Sequence, residues 1–116
     1  MFELFASLLI TQRMLDWYPI GANRVVTTSI NMNTIEYLGD NLWGAEILKQ
    51  YDREDDDGMR EVYMGVQIDC NTRKYLPIVI RRVTASGKVL GKTALGGNKF
   101  ISPIGSEKGI LMICDR

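Results

Sequence analysis

Histidine is absent from the 116 residues, and cysteine occurs only twice, at Cys70 and Cys114. Without histidine, no Ser-His or Cys-His nucleophilic system can be assembled. Zinc sites built on imidazole are excluded as well, and two cysteines alone cannot complete a cysteine site. The two lie too far apart for a Cys-x-x-Cys redox motif. Net charge is also missing: 14 basic residues balance 14 acidic ones. That balance removes the electrostatic footprint of a general nucleic-acid binder. The apolar run near the start, Leu4 to Ile10, is far too short to span a bilayer. Nor does carboxylate spacing select a pair suited to acid–base work. The expectation is therefore a non-enzymatic protein with no cofactor, no metal, no nucleic-acid partner and no transmembrane segment.

A chain of this length fits one domain with a modest core. Residues 1–15 stand apart, because Glu3 precedes the apolar run and Thr11, Gln12 and Arg13 follow it. A secretory signal places positive charge before such a run and small residues after it. The segment is expected to be a remnant signal or an amphipathic helix docked on the domain formed by residues 16–116.

The middle of the chain reads as strands. In "REVYMGVQIDC", Val62, Met64, Val66, Ile68 and Cys70 alternate with Glu61, Tyr63, Gly65, Gln67 and Asp69. Period two over that length marks a half-buried strand with Cys70 facing inward. In "KYLPIVIRRV", Leu76, Ile78 and Ile80 are expected to share one face, while Pro77, lacking a ladder donor, marks an edge or a bulge. "NRVVTTSI" is rich in β-branched residues. "YLGDNLWGAEILKQY" reads as two strands joined at Gly39-Asp40-Asn41, and Ser86-Gly87 supplies a further turn. Near the end, Ser106 resembles an N-cap with Glu107 in the first helical turn, and Ile110, Ile113 and Cys114 lie on one α-helical face. The fold class is α+β: an antiparallel sheet of about five to six strands with a C-terminal helix packed on one face.

Two ligand motifs fail on spacing. Gly91-Lys92-Thr93 resembles the end of a phosphate loop, but the required upstream glycine position holds Ser86. "DREDDDG" resembles a calcium loop, but alignment on Gly58 puts Arg53 at the first ligand position and Met64 at the twelfth. Both read as connections between strands. The densest basic group, Arg73, Lys74, Arg81 and Arg82, reads first as solvated strand faces. It is also the candidate protein-contact surface. The cysteines are open to several states: buried free thiols, an internal disulfide, intermolecular links or a redox pair.

From about Asp16 onward the chain resembles the bacterial surface-adhesin protein E family. The likeness rests on an ordered set: Trp17 with Ile20, "TTSINMNTIEYLGDNLWGAEIL", "IDCNTRKY", "SGKVL" and "FISPIGSEKGILMIC". Phe100 stands where the family usually carries tryptophan. The resemblance implies an antiparallel sheet with a C-terminal helix, a disulfide between Cys70 and Cys114, and an exported location in the periplasm or at the cell surface. It also implies protein partners, since named members bind host matrix and serum proteins such as vitronectin, laminin and plasminogen. The alternative is an intracellular protein-binding or inhibitor module on the same scaffold with reduced cysteines. An exposed edge strand would also permit a homodimer.

Overall fold

The computed structural model describes residues 16–94 and 99–115, so the expectations for residues 1–15 fall outside it. Seven antiparallel strands form one sheet: β1 (Trp17–Ala22), β2 (Val26–Asn31), β3 (Glu36–Gly39), β4 (Leu42–Tyr51), β5 (Met59–Asp69), β6 (Lys74–Thr84) and β7 (Val89–Ala94). Their order is β1-β2-β4-β5-β6-β7. β2 and β3 share one side of β4: β2 pairs with Ile47 to Tyr51, and β3 with Leu42 to Gly44. Among the described residues no helix is long and apolar enough to cross a membrane.

The strand count exceeds the expected five to six because β1 forms from "WYPIGA", where Pro19 and Gly21 hide the pattern. A bulge at Ile20 absorbs the irregularity: Pro19 pairs with Ser29, and Gly21 pairs with Thr28. The turns are where their residues require them. Gly39, Asp40 and Asn41 all adopt positive φ (93°, 54° and 64°) between β3 and β4. Gly87 does the same, at 93°, between β6 and β7. Such angles suit glycine, asparagine and aspartate.

β5 alternates as its sequence dictates, with Met64, Val66 and Ile68 buried against the core. β6 does not follow the expected pattern. Gly65 pairs with Val79 and Val66 with Pro77, which leaves Ile78 as an extra residue. This bulge reverses the phase of the strand. Leu76 therefore faces away from Ile80, Ile78 is 38% exposed, and Tyr75 takes the buried position. The shared face expected for Leu76, Ile78 and Ile80 is thus overturned. Pro77 sits at the bulge, where a missing N–H interrupts little.

The C-terminal segment Gly105–Asp115 is a 3-10 helix rather than an α-helix. A 3-10 helix repeats every three residues, so Glu107, Ile110 and Ile113 stack on one side. Ile110 and Ile113 enter the core with Ile30, Ile47 and Ile68. Ser106 is not an N-cap: its hydroxyl is buried and accepts a hydrogen bond from Thr28 Oγ1 at 2.9 Å. Glycine at 109 permits the close approach to β1. A Cβ there would overlap the Ile20 carbonyl oxygen. Gly109→Ala is expected to cost about 1–3 kcal/mol by forcing the helix off β1. Gly91→Ala, where nothing lies within 4 Å, is the near-neutral control. Chemical denaturation of the two variants checks this.

Candidate functional site

Two hairpin turns meet at one end of the sheet. Asp69 Oδ1 accepts hydrogen bonds from the backbone N–H groups of Asn71 (2.9 Å) and Thr72 (3.4 Å), which forms the β5–β6 turn. Arg73 completes that turn at a φ of 58°. Asn41, in the β3–β4 turn, accepts from the Cys70 amide at 3.0 Å and donates through Nδ2 to Asn71 Oδ1 at 2.8 Å. Cys70 is thereby held just past the end of β5. Its sulfur is bonded to that of Cys114, with the Cα atoms 5.4 Å apart. Arg73 adds a two-pronged ion pair to Asp115, at 3.1 and 3.3 Å.

Beneath this closure lies a polar contact inside the core boundary. The Tyr75 hydroxyl donates to both Glu107 carboxylate oxygens, at 2.9 and 3.1 Å. Lys49 Nζ reaches Glu107 Oε1 at 3.3 Å. Both charged side chains are largely shielded, at 19% and 13% exposure. Burial first, and then the hydrogen bonds to Glu107 and its charge, push the Tyr75 phenol well above its ordinary value of 10.0. The carboxylate that sequence reading places at a helix start instead anchors the helix to β4 and β6.

The four basic candidates do not form one patch. Arg73 lies in the β5–β6 turn, and its charge is engaged by Asp115. Lys74 opens β6 and is exposed. Arg81 and Arg82 lie seven and eight residues further along, roughly 20 Å away at the rise of a strand. They face opposite sides of the sheet, Arg81 opposite Tyr63 and Arg82 opposite Val62. Arg82 pairs with Asp55 (3.2 Å) and Asp57 (3.4 Å) of the β4–β5 loop. In that loop, Asp55 Oδ1 also accepts from the amides of Asp57 and Met59, both at 2.9 Å. The Met59 amide is the chief cause that holds the Asp55 carboxyl below its usual value. The loop's acids thus shape a turn.

Arg81 borders a hollow of about 180 Å³ on the sheet face away from the C-terminal helix. Gly65 forms the floor, between Glu46 on β4 and Val79 on β6. Tyr63, Arg81 and Lys92 form a neighbouring row. The Arg81 guanidinium lies 4.5 Å from the Tyr63 ring centroid, and Trp17 packs edge-on to the same ring at 5.9 Å. Sequence reading missed Lys92, Tyr63 and Gly65 as one place. A glycine inside an alternating strand was the available signal. Comparison with known proteins yields no match: no family model fits the chain, and no curated protein or solved structure is similar to it.

The Tyr75–Glu107 contact has a pH consequence. A phenol whose folded value is raised stabilises the fold fully below the free-tyrosine value of about 10. That contribution is lost as pH rises through this value toward the folded one. Glu107→Gln is expected to lower the Tyr75 transition, followed by ultraviolet absorbance. It should also cost about 1–3 kcal/mol in urea, because Lys49 loses its partner. An unchanged transition would show that the carboxylate has no hold on the phenol.

Proposed function

We propose that this chain is a small exported protein of the cell envelope that binds other proteins and carries out no chemistry of its own. The Cys70–Cys114 disulfide is the observation that carries this reading. Disulfides persist in oxidising compartments and are rare where thiols are kept reduced. Small exported domains use them because a core of this size leaves little stability to spare. Loop closure over a sequence separation of 44 restricts the unfolded chain. In the entropic account this stabilises the fold by about 4 kcal/mol.

The ordered likeness to the surface-adhesin protein E family supports the same reading and suggests host matrix or serum proteins as partners. Of the basic residues, Lys74 and Arg81 are the proposed contacts, since the charges of Arg73 and Arg82 are engaged within the chain. Periplasm or cell surface is the proposed location.

Protein isolated from its native host, with thiols alkylated during lysis, tests the compartment. Mass spectrometry is expected to find Cys70 and Cys114 bridged, with a gain of two hydrogens on reduction. Alkylated cysteines in that preparation would favour the intracellular alternative. In vitro, the double variant Cys70→Ser with Cys114→Ser should lose about 2–5 kcal/mol on denaturant unfolding.

A further inference from the structure

The charge balance of the whole chain hides a segregation along it. Residues 70–106 hold seven of the 14 basic residues and none of the 14 acidic ones. This stretch contains β6 and β7, so one margin of the sheet is positive. Two of the seven charges are met within the chain, Arg73 by Asp115 and Arg82 by Asp55 and Asp57. Among the described residues, Lys74, Arg81, Lys88, Lys92 and Lys99 take part in no ion pair, and all five are exposed. Lys92 also stands directly opposite Arg81 in the β6–β7 register. Like charges so placed destabilise a sheet.

This margin is also an edge. β1 and β7 end the strand order. β1 is guarded: Pro19 lacks a ladder donor, Ile20 bulges, and the C-terminal helix lies close against it. β7 contains no proline, and among the described residues it pairs with β6 alone. Gly91, Thr93 and Ala94 put little bulk beside its backbone. Every second residue of an edge strand turns its N–H and C=O outward. Lysine on such an edge repels a second copy of the same edge. The same lysines attract a segment of opposite charge.

We propose that β7 is a docking edge for an extended acidic segment of a partner protein, which adds to the sheet as a further strand. Main-chain hydrogen bonds along Val89–Ala94 hold the segment. Its carboxylates meet Lys92 and Lys88 at the margin itself, and the other unpaired charges of the margin steer the encounter. A sulfated sugar would answer the charges but leave the outward N–H and C=O groups unpaired, so a peptide strand suits both features together. The docking edge deepens the protein-binding reading and rests on it.

The test uses the whole oxidised protein and a capped seven-residue threonine peptide with glutamate at its second and sixth positions, four apart like Lys88 and Lys92. Nitrogen-edited NMR is expected to show saturable shifts along Val89–Ala94, with slower hydrogen exchange at alternate amides of that strand. Glutamine in place of both glutamates should abolish binding. So should two successive prolines between the glutamates, which keep the charge but remove a ladder donor from each edge of the peptide. Lys92→Gln should weaken binding about threefold, as for one exposed ion pair, and Lys88→Gln with Lys92→Gln about tenfold. Both positions are exposed, so neither change threatens the fold.

No shift with the glutamate peptide at millimolar concentration would overturn the docking edge. So would equal binding of the glutamine peptide or of the proline peptide, since the first removes the role of charge and the second that of the strand. A sulfated oligosaccharide that shifts these amides when the glutamate peptide does not would replace the partner strand with a polyanion. A double lysine variant that binds the glutamate peptide normally but self-associates would leave the lysines only the task of keeping strands off the edge. A bridged disulfide in the native host together with any of these results removes the docking edge and leaves the exported reading intact. Free thiols in the host together with binding that needs both the glutamates and the open backbone do the reverse.

Discussion

The covalent tie between Cys70 and Cys114 fixes the far end of the C-terminal helix against the sheet. The last turn-rich segment of the chain has few reasons of its own to be helical. A 3-10 helix of eleven residues is long for its kind, and its hydrogen-bond geometry is poorer than that of an α-helix. It persists because its two ends are held: the Ser106 hydroxyl binds Thr28 at one, and the disulfide with the Arg73–Asp115 pair binds the other. Between those ends, Ile110 and Ile113 fill the space over Ile30, Ile47 and Ile68. The sheet's apolar face is thus covered by a segment that the sheet itself organises.

The same dependence explains which parts of the fold were legible. β5 was legible because its alternation runs unbroken from Val62 to Ile68, and burial follows it. The β3–β4 turn was legible because three consecutive residues all tolerate positive φ. β1 was not, since Pro19, Gly21 and a bulge break the period within six residues. Ile78 departs from the alternation for a related reason. A single extra residue is invisible in a run of aliphatic side chains, yet it turns every later residue to the other face. The C-terminal helix was placed correctly but read with the wrong period. Three residues per turn and 3.6 both put Ile110 and Ile113 together over so short a span, and only tertiary contacts distinguish them.

The site was legible in kind more than in place. Two distant cysteines without histidine narrow the chemistry on their own. The basic quartet was grouped by sequence proximity, which is a poor guide on a strand. Neighbouring residues there face opposite sides, so Arg81 and Arg82 belong to different surfaces. Lys92 joins Arg81 through the register of β6 with β7, and no local pattern encodes that register. Glu107 was noticed for its position near a helix start. Its partners, Tyr75 and Lys49, come from strands 32 and 58 residues away.

One small contact sets the dimensions of the open edge. Ile101 exchanges two backbone hydrogen bonds with Tyr75, at 2.9 and 2.8 Å, and so occupies the flank of β6 beyond the stretch paired with β7. Among the described residues the sheet's outer margin is therefore stepped: Ile101 flanks β6 at Tyr75, and β7 flanks it over Val89–Ala94. A stepped margin works as a ruler. A long added strand would meet the step at Ile101 before it reached the Tyr75 end of β6. A short segment fits above it in a narrow choice of alignments. A margin broken in this way presents a shorter run of unpaired backbone than a straight edge of the same sheet.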